Sequence, residues 1–134
     1  MFPLETKFLV VDDFATVRKH VRLILNELGY TRIEEAADGK PALEKLTLAA
    51  DNEPFGCLIS DWSLPEMTGL ELLKKIRIHP KLKNMVVILT TADGDQKHVL
   101  EAAKAGVDNY VMKPFTSAIL AEKMQKAYQK IPQV

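Results

Sequence analysis

The chain has one cysteine, one tryptophan and no excess charge of either sign in 134 residues. A lone thiol, Cys57, excludes a disulfide framework, and its place inside an apolar run reads as a small core residue rather than a redox sensor. Lysine plus arginine and aspartate plus glutamate number 18 each, so there is no overall basic field for nucleic acid or an anionic membrane, and function has to come from a local site or face. No apolar stretch approaches the ~18 residues of a membrane span. Met1 to Lys7 lacks the charged leader and apolar run of a signal peptide. A soluble, cytoplasmic protein without membrane insertion is expected. His20, His79 and His98 fall on different predicted elements, without the paired spacing of a metal site, and are read as surface residues. Gly39-Lys40 lacks the upstream glycine and the following Ser or Thr of a phosphate-binding loop, so nucleotide binding is unsupported.

What is present is a repeated alternation of strand-like and helix-like periods, in a length that fits one domain over 1–134. Phe8-Leu9-Val10-Val11, Cys57-Leu58-Ile59-Ser60 and Val86-Val87-Ile88-Leu89-Thr90 are apolar without alternation, the mark of parallel strands buried on both faces. Arg32 to Ala36, with Glu34 and Glu35, reads as an edge strand, and Tyr110-Val111-Met112 as a short fifth strand. Val17, Val21, Ile24, Leu25 and Leu28 form a helical stripe that Gly29 stops. An Asp38-Gly39 turn precedes a helix entered through Pro41 and running toward Ala50, and Asp51-Asn52-Glu53-Pro54 breaks it. Further helices are expected over 69–77, 95–105 and 116–130. The fourth is Ala-rich, with Val99, Leu100 and Ala103 as its apolar positions.

Three aspartates stand where strands run out: Asp12 and Asp13 after the first, Asp61 after the third. In open α/β sheets ligands sit outside the carboxyl ends of the strands, so these side chains should converge in one crevice. Three anions together raise one another's pKa unless a cation compensates them, and Mg²⁺ is a hard ion suited to such oxygens. Thr90-Thr91-Ala92 follows the fourth strand and Lys113-Pro114 the fifth. A carboxylate can accept a phosphoryl group when a metal neutralises charge and a hydroxyl and an ammonium hold the oxygens. Asp61, alone on a central strand, is the expected nucleophile. The adjacent pair is better suited to gripping metal and water, Thr91 to donating to a phosphoryl oxygen, and Lys113 to pairing with its charge. Trp62 is read as a partly exposed aromatic with no chemistry, useful as a reporter.

The segments Phe8-Leu9-Val10-Val11-Asp12-Asp13-Phe14, Ile59-Ser60-Asp61-Trp62, Leu64-Pro65, Thr91-Ala92 and Tyr110-Val111-Met112-Lys113-Pro114-Phe115 resemble response-regulator receiver domains, with the closest likeness to CheY-type chemotaxis regulators. The resemblance runs from about residue 5 to residue 130. It implies a flavodoxin-like (βα)5 fold, a doubly wound five-stranded parallel sheet of order 2-1-3-4-5. It implies Asp61 as the phosphoacceptor, charged by a sensor histidine kinase, with Asp13 and Asp61 binding Mg²⁺ directly, Asp12 through water and Ser63 through its backbone carbonyl. Thr91 and Tyr110 resemble the family's switch pair, and the peptide to Pro114 is expected to be cis. Ser63 stands where close chemotaxis relatives carry Asn, Asp93 where they carry Glu, and Gln96 where they carry Lys. The stretch Thr47 to Phe55 is longer than in those relatives and extends the second helix or its loop.

Helix four, strand five and helix five are expected to form a partner face carrying Gln96, Val99, Tyr110, Met112, Phe115, Thr116, Lys123 and Lys126, suited to an amphipathic acidic peptide. By resemblance that partner is a flagellar motor switch protein, and a phosphatase can act on the charged form. Such a chain catalyses only its own modification. A phosphate sink or phosphorelay intermediate would need Asp61 but no output face. A phosphatase of the haloacid dehalogenase type would require Asp-x-Asp after the first strand, and here the pair is adjacent.

Overall fold

In the computed structural model, which describes residues 1–92 and 96–131 (Gln96 in its backbone only), strands and helices alternate as β1 (Phe8–Val11), α1 (Ala15–Glu27), β2 (Ile33–Ala36), α2 (Gly39–Ala49), β3 (Cys57–Asp61), α3 (Gly69–Ile78), β4 (Val86–Thr91), α4 (Gln96–Ala105), β5 (Asn109–Met112) and α5 (Ser117–Gln129). The strands make one parallel sheet of order β2-β1-β3-β4-β5. This is the doubly wound, flavodoxin-like arrangement expected from the sequence.

Why the central strands show no alternation is visible in their packing. Leu9, Val11, Leu58, Val87 and Leu89 join the core under α2, α3 and α4. Their neighbours Phe8, Val10, Cys57, Ile59, Val86, Ile88 and Val111 join the core shared with α1 and α5. Successive side chains point to opposite faces, and each face is covered, so the run is apolar until the polar strand ends Ser60-Asp61 and Thr90-Thr91. Removing this surface from water, at roughly 25 cal/mol per Å² of apolar area, drives the assembly. The α1 stripe buries Val21, Ile24 and Leu25, α3 buries Leu72, Leu73 and Ile76, and α5 buries Leu120, Met124 and Ala127. Gly29, at φ 100°, ends α1 as expected.

The polar strand β2 does lie at the edge, and its carboxylates are clamped. Glu35 is bonded by Arg18 Nε and Arg22 Nε, each at 2.9 Å, while Lys7 lies 3.2 Å and Lys45 3.4 Å from Glu34. Burial pushes both carboxyls up, but the paired cations outweigh it and hold them below the usual range. Of the stretch from Thr47 to Phe55, α2 takes residues up to Ala49 and the rest is loop, anchored by the buried Phe55 ring beneath Lys7 Nζ.

Helix α4 leaves its larger apolar residues outward, Val99 as the partner face requires. Val99, Leu100 and Ala103 are exposed, and the helix instead turns Ala102 inward, fully buried, with His98 and Ala105 partly covered on the same face. His98 stacks on Trp62, with ring centroids 4.6 Å apart and planes 18° from parallel. That contact outweighs the weak apolar bias of a short Ala-rich helix. No helix among the described residues is long and apolar enough to cross a membrane.

Candidate functional site

Strand register brings the chemistry-bearing residues to one end of the sheet. Val11 is level with Ser60, so the next residues, Asp12 and Asp61, leave adjacent strands side by side. Asp61 is level with Thr90, Thr91 is level with Met112, and Lys113 comes one step later. The backbone N–H of Lys113 donates to the Thr91 carbonyl at 2.7 Å, which fixes the start of the β5–α5 loop. The Lys113–Pro114 peptide is cis.

Ligand oxygens of Asp12, Asp13 and Asp61 all lie within 4.8 Å of one another. Asp12 and Asp61 are buried, at 2% and 6% exposure, whereas Asp13 faces solvent. Lys113 Nζ bridges the two buried carboxylates, 2.7 Å from Asp12 Oδ2 and 3.1 Å from Asp61 Oδ2. Burial is the main force raising the Asp61 pKa above the usual carboxylate value. The Asp12 charge adds to it, and the Lys113 ammonium opposes it without cancelling it. Burial pulls Lys113 the other way, but its bonds to Asp12 and Asp61 outweigh that and hold the ammonium above its ordinary pKa. The donor set is oxygen only, partly open to solvent through Asp13, and carries three carboxylates against one ammonium. These are features that fit a hard divalent cation such as Mg²⁺.

The loop after β1 is held by its own side chain and by α1. The Phe14 N–H donates to Asp12 Oδ1 at 2.9 Å. Arg18, clamped on Glu35, also donates through Nη1 to the Asp12 carbonyl at 2.7 Å. After β3, Gly69 permits a close approach: a Cβ there would collide with the Asp61 carbonyl. Its N–H donates to the Trp62 carbonyl at 2.8 Å, so α3 starts directly against the end of β3.

Of the other expected residues, Thr91 lies buried at the end of β4, and Ser63 is exposed, its N–H 3.4 Å from Asp61 Oδ1. Tyr110 is partly buried on β5. Val99, Met112 and Thr116 are exposed, Lys123 is partly covered, and Lys126 is exposed beside Glu122 at 3.0 Å. Phe115, expected on the same face, is instead buried and stacks on His20 of α1, at 5.6 Å and 18°. The first residue beyond the cis peptide turns toward the α1 side of the sheet, which is why it leaves the face that Met112 occupies. Trp62 is also corrected: it is buried, at 8% exposure, beneath His98. Asp93 and the Gln96 side chain lie outside the described residues. Sequence reading gave no role to Arg18 or His98, because both act through contacts across elements that no local pattern encodes.

Known proteins share this arrangement. The model of the response regulator receiver domain matches residues 8–125. Over 125 residues, 93% of this chain and 98% of the relative, the sequence is 41% identical to the chemotaxis protein CheY of Pseudomonas aeruginosa. Among solved structures, the chemotaxis response regulator CheY4 of Vibrio cholerae superposes with a TM-score of 0.81 at 32% identity, covering 92% of this chain and 98% of that one. The receiver domain of a sensor histidine kinase from Pseudomonas aeruginosa, solved with a magnesium ion coordinated in its active-site cleft, superposes with a TM-score of 0.80 at 25% identity, covering 94% and 99%. The matched segment begins in β1, ends in α5 and contains every residue of the acidic crevice and its lysine, and on that match the chain belongs to the response-regulator receiver domains.

Proposed function

We propose that this receiver domain works as a CheY-type chemotaxis regulator, accepting a phosphoryl group on Asp61 from a sensor histidine kinase in a Mg²⁺-dependent reaction. The observation that carries this is the placement of Asp61, buried between Asp12 and the Lys113 ammonium at the carboxyl end of a central strand. In the transfer, an Asp61 carboxylate oxygen forms the new bond to phosphorus while the bond from phosphorus to the histidine nitrogen breaks, and the imidazole leaves with that electron pair. Asp13, Asp12, Asp61 and the Ser63 carbonyl would hold the magnesium, which supplies charge neutralisation at the transferring group. Lys113 is already poised at Asp61 to pair with the incoming oxygens, and Thr91 stands one residue beyond the level of Asp61 to donate to them.

Aspartyl phosphate adds roughly −1.5 to −2 charge at the end of the sheet, enough to bias a two-state element toward one arrangement. The Thr91 and Tyr110 pair, on paired strands, is the element we assign that task. The readout surface would be α4, β5 and α5, where Val99 and Met112 are exposed at 39% and 52% and Lys126 is exposed on α5. An acidic amphipathic segment of a flagellar motor switch protein fits this chemistry.

The test uses Mg²⁺ followed by beryllium fluoride or a small phosphodonor, with Trp62 emission and binding to a motor-switch peptide as readouts, in wild type and Asp61→Asn. Wild type is expected to respond in both and the variant in neither. A wild-type chain indifferent to Mg²⁺ removes the metal site from the reading. A response at Trp62 with no gain in peptide binding moves the function to a phosphate sink or relay.

A further inference from the structure

The loop between β3 and α3 carries Ser63, and its ends are fixed by their neighbours. Trp62 N–H donates to the Thr90 carbonyl at 2.8 Å, and Thr68 closes a capping box with Glu71. The stretch just before that cap is also held from another part of the chain. Asp38, the N-cap of α2, accepts from its own turn at Gly39 N (2.7 Å to Oδ1) and from two loop amides, Met67 N (3.3 Å to Oδ1) and Glu66 N (3.2 Å to Oδ2). One carboxylate therefore joins the β2–α2 turn to a loop 28 and 29 residues away. The two backbones also touch, since a Cβ on Gly39 would lie 2.7 Å from the Met67 carbonyl oxygen.

We propose that Asp38 is a positioning residue for the acceptor site, holding the loop that sets where the Ser63 backbone stands beside Asp61. The inference rests on the reading of Ser63 as a metal-binding carbonyl given above. Asp38 is not one of the three carboxylates that converge within 4.8 Å, so it acts through the loop rather than on the ion. On the Asp61 side Trp62 is fixed by its bonds to Thr90 and Gly69, and Ser63 itself makes only a long N–H contact, 3.4 Å to Asp61 Oδ1. On the other side of Ser63 the loop is tied by the two Asp38 bonds, which as amide-to-carboxylate bonds are stronger than neutral ones. Outer partners that orient metal ligands typically matter by about 10–100-fold in metal affinity.

The experiment compares wild type, Asp38→Asn and Asp38→Ala, each verified as folded by circular dichroism, using Mg²⁺ titration calorimetry and amide hydrogen exchange at Glu66 and Met67. Asparagine keeps the Oδ1 acceptor that serves Gly39 and Met67, and alanine removes it. Asp38→Ala should lose about 10–100-fold in Mg²⁺ affinity and lose protection at both amides, while Asp38→Asn, whose amide nitrogen replaces the Oδ2 that Glu66 N–H meets, should keep protection at Met67, lose it at Glu66 and fall between the other two chains in affinity. A folded Asp38→Ala chain with wild-type affinity overturns the proposal, as does an Asn variant that keeps Met67 protected yet falls as far as Ala in affinity, since loss of the loop clamp would then not be the cause. Failure of the wild type to bind Mg²⁺ defeats the underlying site reading. The amide protection still reports separately on whether the clamp exists.

Discussion

Lys113 reaches both buried carboxylates, at 2.7 Å from Asp12 and 3.1 Å from Asp61. Removing one partner of a buried pair leaves the other charge uncompensated, at a cost of about 3 kcal/mol. Lys113→Met should therefore lower stability by about that much in chelator, and Mg²⁺ should restore more stability to it than it adds to wild type. Urea unfolding with chelator and with Mg²⁺ checks both statements, and unchanged stability in chelator would refute the first. At this scale the acidic cluster and its lysine were legible, because each residue directly follows a strand whose apolar run is unmistakable. Trp62 and Phe115 were not. Both lie just past a strand end, where the next backbone turn decides between solvent and core, and period carries no information about it.

Among elements, β2 was readable as an edge from Glu34 and Glu35, since a strand covered on both sides has no room for two carboxylates. The partners of those carboxylates were not readable, because Arg18 and Arg22 reach Glu35 from α1 across the top of the sheet. Glu35 is held below the ordinary carboxylate range, where the two arginines outweigh burial. Its contribution is thus fully present above the unfolded-state pKa and is lost as pH falls through the lower folded-state value. Glu35→Gln should cost roughly 1 kcal/mol at neutral pH, at the upper end for partly exposed pairs. The gap to wild type should close on acidification through the carboxylate range. Denaturant midpoints measured across that range decide it, and a gap independent of pH would mean that packing, not charge, is what the substitution removes. Helix α4 shows the opposite case: the side it turns inward, with His98 on the Trp62 ring just past β3, is set by a contact that the helix sequence does not encode.

For the molecule as a whole, the acidic crevice carries a stability cost. Burial and the neighbouring Asp12 charge raise the Asp61 pKa above its unfolded value, so the native state binds this proton more tightly than the unfolded chain. Ionising Asp61 therefore costs native stability progressively as pH rises from the unfolded-state value through the folded-state one, and the cost is complete above both. A cation held by Asp12, Asp13 and Asp61 in the native state alone opposes that cost, adding about 1.4 kcal/mol when its concentration is near tenfold the dissociation constant. The acid side reverses it, because protonated carboxyls are poor ligands for a hard ion. Mg²⁺ should accordingly raise the unfolding temperature near neutral pH, with the increment shrinking to nothing as pH falls below the carboxylate range. Replacing Asp13 by Asn should abolish the increment at neutral pH without removing a buried contact, since Asp13 is exposed. Thermal unfolding in Mg²⁺ and in chelator at both ends of that range is the measurement. An equal increment at acid and neutral pH would place the ion elsewhere than among these three carboxylates.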